Sequence, residues 1–431
     1  MTESILLIGG GGREHAIARA IESADSAELY ACASNRNPGI SELAASYSVI
    51  DETDPSGIVS YAQDISATLA IIGPEAALQA GVADALDAAG IYTFGPRQDE
   101  ARIETDKAFQ RQFMAEHDIP GCPEFATFTD TAAAVDYIRT VDGDVAIKPR
   151  GLTGGKGVRV TGDQISTAEA VEFVQTSEYN DFVIEERLIG EEFTIQALIA
   201  NGSIRVTPAV QDHKRAYEGD EGPNTGGMGS YSDTTFPLPF MTQEDYDEAV
   251  SIIEAVVDAM PAYKGILYGQ FMLTVDGPKV IEFNARFGDP EAMNTLPVLE
   301  TDFVSILQAA RDGQPLPELQ FSPKATVCKY AVPEGYPTDP QAGAKVTINE
   351  TTVGDAILFY ASVDARDDGI FTTTSRSFAV VGRGETISEA EGITSEALRK
   401  ADENGLHIRH DIGTSELIQR RINHMAHLRS N

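Results

Sequence analysis

Short apolar runs separated by amphipathic stretches fill the first hundred residues. SILLIG (4–9), LYACAS (29–34), TLAIIGP (68–74) and IYTFGP (91–96) are near-continuous apolar segments bounded by turn residues. Strands buried on both faces read this way. Between them, REHAIARAIESA (13–24) places Ala16, Ile17, Ala20, Ile21 and Ala24 on one helical face, and GVADALDAAG (81–90) forms a second helix. Alternating strands and helices predict a parallel sheet covered on both faces, an α/β domain over residues 1–103.

The texture changes near residue 104. TDKAFQRQFMAEHDIP (105–120) is a helix capped by Thr105 or Asp106, with Phe109 and Phe113 inward and Pro120 beyond its end. DVAIKP (144–149), a glycine loop, VRVTG (158–162), the helix STAEAVEFVQTS (166–177) and DFVIEERL (181–188) make a compact unit. EEFTIQALIANGSIRVTPAV (191–210) is a hairpin turning at Asn201-Gly202. After the long helix at 242–260, GILYGQFMLTVDGPKVIEFNARF (265–287) is a second hairpin, with Asp276, Gly277 and Pro278 as its loop. Beyond 320, short strands (ATVCKYAV, AKVTIN, AILFYAS, SFAVVGRG) and one helix predict a small α+β domain over 321–431.

The second hairpin carries an unusual row. In KVIEFNARFGDPE (279–291), Ile281, Phe283, Ala285 and Phe287 face a core, so Glu282, Asn284 and Arg286 share the other face. In isolation a solvated strand face is the default reading of such a row. A three-residue loop sets Gln270 opposite Asn284 and Met272 opposite Glu282, which gathers Gln270, Glu282, Asn284 and Arg286. Oxygens from Glu, Asn and Gln suit Mg2+, and Arg286 can hold an anion. A two-residue loop would turn Gln270 to the opposite face.

Other segments extend the pattern. KPRGLTGGKGV (148–158) is a glycine loop between strands, where Gly151, Gly154, Gly155 and Gly157 let backbone N–H groups reach phosphate, with Lys148 and Lys156 adding charge. It lacks Walker A spacing. VIEERLIGEEF (183–193) sets Glu185, Leu188 and Glu192 at intervals suited to a ribose or adenine, or to an ordinary acidic turn. QDHKR (211–215) and EGPNTGGMGSYS (221–232) form a long polar loop of the kind that is functional or disordered; His213 alone reads as a surface histidine. GGGGREH (9–15) fails as a dinucleotide fingerprint, because Glu14 stands where the third glycine belongs and no acid follows the second strand. That argues against a dehydrogenase. A phosphate at this helix start stays open, since Gly9 to Gly12 expose N–H groups and Arg13 adds charge.

Composition narrows the class. With 67 acidic against 32 basic residues the net charge is −35, spread along the chain, which argues against nucleic-acid partners. With 10 Lys and 22 Arg, the Lys-poor acidic surface predicts a halophilic protein working in high intracellular salt. No apolar run reaches membrane-spanning length, and MTESILLIGGGG has no basic region ahead of its strand. Three separated cysteines match no metal spacing. A cytoplasmic protein is expected.

These motifs together resemble the ATP-grasp ligases. Within them the chain is similar to the phosphoribosylamine–glycine ligase (glycinamide ribonucleotide synthetase) family of purine biosynthesis. The resemblance spans nearly the whole chain, through GGGGREHA, IIGPEA, GPR, TDKAF, KPRGLTGGKGV, QDHKR, GPNTGGMGSYS and VIEFNARFGDPE in order. It implies a Rossmann-like substrate domain at 1–103 and an α+β ATP-grasp core at 104–320, with a lid at about 121–192. The C-terminal α+β domain at 321–431 completes the chain.

The resemblance also implies site residues. Lys107, Lys148, Gly154, Gly155, Lys156 and Gly157 would hold the ATP phosphates, and Glu185, Glu186, Leu188 and Glu192 the adenosine. Gln270, Glu282 and Asn284 would bind Mg2+ or Mn2+. Gly10, Gly11, Gly12, Arg13, Glu14, Asp212, Lys214, Asn224, Thr225, Gly226, Gly227, Met228, Arg286, Gly288 and Asp289 would cradle glycine and 5-phosphoribosylamine. Arg286 and Lys148 would stabilise the charge of a glycyl phosphate. A monomer or weak dimer is expected. Arg150 and Met293 depart from many relatives, which have Asp and Gln there, and resemble an archaeal branch. Another ATP-grasp carboxylate–amine ligase of the same pathway is the nearest alternative.

Overall fold

The computed structural model describes residues 2–24, 26–152, 157–401 and 404–430. Gly154, Gly155 and Lys156 of the glycine loop therefore lie outside the described residues.

The N-terminal pattern folds as a parallel five-stranded sheet of β1 (Glu3–Ile8), β2 (Ala27–Ala33), β3 (Ser46–Val49), β4 (Leu69–Ile72) and β5 (Tyr92–Phe94), in the order β3-β2-β1-β4-β5. Order reverses about β1, so the carboxyl ends of β1 and β4 open a crevice where ligands bind in such sheets. Helix Gly12–Glu22 starts at that crevice, and the IIGPEA turn borders it.

A separate four-stranded sheet holds β6 (Phe125–Phe128), β7 (Val145–Pro149), β8 (Arg159–Val160) and β9 (Phe182–Glu186), ordered β6-β9-β7-β8. Helices Thr131–Thr140 and Thr167–Thr176 back it with its own small apolar core around Ile138, Ile147 and Val174.

The central sheet continues through β10 (Glu191–Ala200), β11 (Ser203–Val206), β12 (Val210–Asp212), the small pair β13 (Arg215–Tyr217) and β14 (Glu221–Asn224), then β15 (Gly229–Ser232), β16 (Gly265–Thr274) and β17 (Gly277–Asn284). Past residue 320 come β18 (Ala325–Pro333), β19 (Lys345–Val346), β20 (Ile357–Tyr360), β21 (Val363–Arg366), β22 (Gly369–Thr372), β23 (Phe378–Gly384) and β24 (Leu406–Ile408). These do not all form a sheet of their own. β18 pairs with β15, so one ten-stranded sheet runs β17-β16-β10-β12-β15-β18-β23-β20, with β11 and β24 at its sides. Helices Gln243–Ala259 and Ser415–Ser430 pack on one face of its central strands. The other face carries the polar row. No helix among the described residues is long and apolar enough to cross a membrane.

The β16–β17 hairpin corrects the register expected from sequence. Thr274 pairs with Gly277, so the loop is two residues, Val275 and Asp276, not three. Below it Met272 pairs with Lys279 and Phe271 with Val280, and this alone would put Gln270 on the wrong face. A β-bulge at Ile281 then restores it: Gln270 faces Glu282, and Tyr268 faces Asn284. One extra residue on a bulged strand shifts every later side chain to the opposite face. Val280 is fully buried as a result, while Ile281 is half-exposed.

Candidate functional site

Directly paired residues share a face, so the bulged hairpin presents Gln270, Glu282, Tyr268 and Asn284 together. β10 pairs with β16 and adds Thr194 and Gln196 to this face; β12 adds Asp212. Two contiguous cavities open over it, of about 440 and about 480 Å3. Asp212, Lys214, Glu282 and Val158 line both.

The larger cavity lies between the four-stranded sheet and the central sheet. Ala146, Val160, Leu188, Met272 and Ile281 give it apolar walls, and Lys148, Glu185, Glu186, Glu192 and Asn224 polar ones. At its base is a buried charge cluster. Arg111 donates two bonds to Glu185 at 2.8 and 3.0 Å, and Lys148 Nζ pairs with the same carboxylate at 2.7 Å. Arg111 also donates to the carbonyls of Val280 and Ile281 at 2.9 and 2.7 Å, and Lys148 to that of Ile281 at 2.9 Å. The two cations therefore clamp the bulge. Burial lowers the Lys148 pKa and opposes ionisation of Glu185, but Arg111 and Lys148 hold Glu185 below its ordinary value. Glu186 turns aside, where it accepts the N–H of Glu124 at 3.0 Å. Glu192 accepts from Gln270 Nε2 at 2.8 Å.

The smaller cavity joins the N-terminal crevice to the central sheet. Gly10, Gly11, Arg13, Glu14, Lys107, Thr225, Gly226, Asn284, Arg286 and Asp289 line it. Lys107 Nζ donates to the carbonyl of Gly151 at 2.7 Å, and Gly157 lies past the undescribed loop residues. Arg286 is already paired, with Glu104 at 2.8 Å and Glu75 at 3.4 Å. Glu104 in turn accepts the N–H of Ala285 at 2.7 Å. Glu291 accepts from Tyr268 Oη at 2.8 Å. Burial and the neighbouring Glu291 carboxylate push Asp212 well above the usual carboxylate range.

At the junction, Lys214 Nζ donates to Gln270 Oε1 at 2.6 Å and lies 4.0 Å from Glu282 Oε1. Burial penalises the Glu282 charge, yet Lys214, Lys107, Lys148 and Arg286 hold its pKa down to about 2. Glu282 is therefore an anion among four cations. Burial also opposes the Lys214 charge, and Glu282, Glu192, Asp212 and Glu291 more than offset it, so its pKa is raised.

Several sequence expectations need correction. The first helix start is only partly open: Gly9 donates to the carbonyl of Cys32 at 2.9 Å and Gly11 to Glu14 Oε2 at 2.8 Å. Glu14 also takes Arg13 Nε at 2.6 Å, so this side chain caps the helix and fills the expected anion hole. Gly12 sits beneath Tyr330 and Met293, away from the cavity. Met228 is fully buried in an apolar cluster and lines neither cavity. Gly288 N–H is taken by Gln196 at 2.8 Å and Gly227 N–H by Thr225 Oγ1 at 3.0 Å. His213 is not on the surface: it is 2 % exposed, lines the larger cavity, and neither ring nitrogen has a hydrogen-bond partner.

Sequence reasoning missed Arg111, Glu104, Glu75, Tyr268, Glu291 and Arg376. Arg111 could have been found: Lys107, Arg111 and Met114 recur at helical spacing, which puts a guanidinium on an inward face. Arg376 had no motif around it. It pairs with Asp289 at 3.1 Å and lies 4.6 Å from the Tyr330 ring, so the C-terminal segment closes the far wall of the smaller cavity.

Comparison with known proteins agrees with this architecture. Three family models match in succession: the N domain of phosphoribosylglycinamide synthetase at residues 3–104, its ATP-grasp (A) domain at 105–292 and its C domain at 326–415. A phosphoribosylamine–glycine ligase of Methanosarcina barkeri is 52 % identical over 99 % of this chain and 99 % of its own length. A crystal structure of phosphoribosylamine–glycine ligase from Thermotoga maritima superposes with a TM-score of 0.80 at 24 % identity, covering 95 % of this chain and 99 % of that one. The biotin carboxylase domain of Hydrogenobacter thermophilus 2-oxoglutarate carboxylase, in complex with MgADP and bicarbonate, follows at 0.74 and 16 % identity, covering 99 % and 94 %.

Proposed function

Since this chain belongs to the phosphoribosylamine–glycine ligase family, we propose that its two cavities divide the reaction of that family between them. The enzyme is an ATP-dependent ligase that joins glycine to 5-phosphoribosylamine in purine biosynthesis. The larger cavity takes ATP, its purine between Leu188, Met272 and Ile281 and its ribose toward Glu192. The smaller cavity takes glycine and 5-phosphoribosylamine beside Arg286, Asp289 and the Glu14 turn.

The observation that carries this assignment is the junction. Glu282 on β17 and Lys214 just past the end of β12 line both cavities, so a triphosphate tail reaching inward meets a carboxylate entering from the other side. A glycine carboxylate oxygen attacks the γ-phosphorus, the bond to the β-bridging oxygen breaks and ADP leaves. The amine of phosphoribosylamine then attacks the glycyl carbonyl carbon, the acyl C–O bond breaks, and phosphate leaves carrying the proton that the amine gives up. Two anions must meet in the first step. Lys107, Lys148, Lys214 and Arg286 offset that repulsion, which is where such catalysis gains most. Holding acid and amine in adjoining cavities supplies the rest. Closure of the 121–192 lid over ATP keeps water from the acyl phosphate.

Gln270, Glu282 and Asn284 would hold a divalent cation, Mg2+ or Mn2+. The donor set fits: all three offer hard oxygens, Glu282 is anionic, and a positive group already rests on Gln270. Such an ion, bound with the triphosphate, neutralises its charge. Domain limits of 1–103, 104–320 and 321–431 and a cytoplasmic monomer or weak dimer complete this reading. The test is ADP release measured with glycine and freshly prepared 5-phosphoribosylamine, each omitted in turn. Release that persists undiminished without glycine would overturn the assignment.

A further inference from the structure

The Gln270–Glu282 pair faces a cation contributed by the chain. Lys214 Nζ rests on Gln270 Oε1 at 2.6 Å, 4.0 Å from Glu282 Oε1. Its backbone is anchored, since the Lys214 carbonyl accepts both the N–H and the Oγ1 of Thr225 at 2.7 and 2.8 Å. The aliphatic stem can therefore swing while its root stays in place. Glu192, Asp212 and Glu291 surround the same ammonium.

We infer that Lys214 is a resident counter-ion of the divalent-cation site, occupying Gln270 and Glu282 until a bound triphosphate draws its ammonium away. The inference rests on the proposed role of Gln270 and Glu282 and extends it to the order of binding. An ammonium held on Gln270 Oε1 and a divalent cation shared by Gln270 and Glu282 repel each other strongly at this distance in a partly desolvated site. Metal can enter only as Lys214 leaves. Lys214 lines both cavities, so the incoming phosphates offer it a destination of opposite charge. Metal and nucleotide then bind with positive coupling, which must be reciprocal. Without nucleotide the carboxylates keep a partner and the empty protein holds metal only weakly.

Mn2+ titration followed by electron paramagnetic resonance, on the full chain without nucleotide, tests this. Lys214→Met is expected to bind Mn2+ at least ~10-fold more tightly than the unmodified protein, the least that removing one unit charge at this range should bring. Lys214→Arg, which keeps the charge, should bind as weakly as the unmodified protein. Adding Glu282→Gln to Lys214→Met should abolish the gain and so locate the ion. If Lys214→Met does not fold, Lys214→Gln serves in its place. Equal Mn2+ affinity in the charged and uncharged variants overturns the role of Lys214 while leaving the site intact. Nucleotide binding of the unmodified protein that is indifferent to Mn2+ or EDTA overturns the metal site itself, and the inference with it.

Discussion

Arg111 is 1 % exposed, and its four shortest hydrogen bonds go two to Glu185 and one each to the carbonyls of Val280 and Ile281. Replacing it by Met keeps an unbranched apolar stem, shorter than the original, and removes every donor. Breaking a buried ion pair from one side costs about 3–5 kcal/mol. Glu185 keeps Lys148 at 2.7 Å and Ile281 keeps the same lysine at 2.9 Å, so the lower end, about 3 kcal/mol, is expected. Arg111→Lys keeps the charge but cannot reach all four acceptors, and one lost charge-assisted bond of roughly 1.5 kcal/mol is the expected loss. Urea unfolding followed by circular dichroism at constant KCl measures both. Because Arg111 also clamps the bulge that aligns Gln270 with Glu282, ATP turnover should fall along with stability. Pairing Arg111→Met with Glu185→Gln completes a cycle: the double variant should lose less than the summed single losses, by roughly 0.5–3 kcal/mol. Arg111→Met within about 0.5 kcal/mol of the unmodified protein, a margin typical of surface changes, with an unchanged KM for ATP, would refute the reasoning, as would strict additivity.

Three further outcomes are expected. Glu282→Gln removes the charge at the junction of the cavities and should lower kcat by roughly 10- to 100-fold, the equivalent of a 1.5–3 kcal/mol contact acting in the transition state, read by ADP release. Burial lowers the pKa values of His15 and His213 to about 3, helped by Arg19 and Arg421 respectively; the unfolded chain binds their protons near pH 6.5, so stability falls as pH drops below that value, by about 1.4 kcal/mol per unit for each histidine. His15→Asn/His213→Asn should flatten this slope in urea midpoints compared between pH 7 and pH 5, and an unchanged slope would contradict the neutral buried state. With a net charge of −35, the unfolding midpoint should rise as KCl goes from about 0.1 M to about 1 M, where the screening length shrinks from roughly 10 to 3 Å; a falling midpoint would argue against adaptation to high salt.

Much of the architecture was legible because burial writes itself into periodicity. Four strands of the parallel N-terminal sheet came from apolar runs, since strands covered on both faces leave no alternation to misread; the edge strand Ser46–Val49, half-exposed and partly polar, was not read. The polar row on β17 was legible as well, but its alignment with β16 was not. Assuming unbroken alternation from Lys279 leaves Val280 in the polar row, and that misfit was the one trace of the bulge that buries it. Glu14 shows a different limit. A glycine-rich helix start reads as an open anion site, and only coordinates show a carboxylate three residues on folding back to satisfy it. Glu104 and Glu291 were missed because a buried acid has no sequence signature apart from the partner that neutralises it, and Arg286 and Tyr268 lie far away in the chain. The C-terminal strands were recognised as strands, but their pairing with β15 depends on contacts a hundred residues apart.

That pairing has a consequence for how the enzyme can work. Because β18, β23 and β20 extend the same hydrogen-bonded ladder as β16 and β17, the Arg376 wall is tied through backbone bonds to the floor bearing Glu282. The C-terminal quarter cannot be deleted or exchanged as a detachable module without exposing the raw border of β15 to neighbouring molecules. Opening and shutting around the nucleotide is then expected of the small four-stranded sheet, which among the described residues shares no ladder with the large one, so amide exchange there should respond to ATP while the large sheet stays inert.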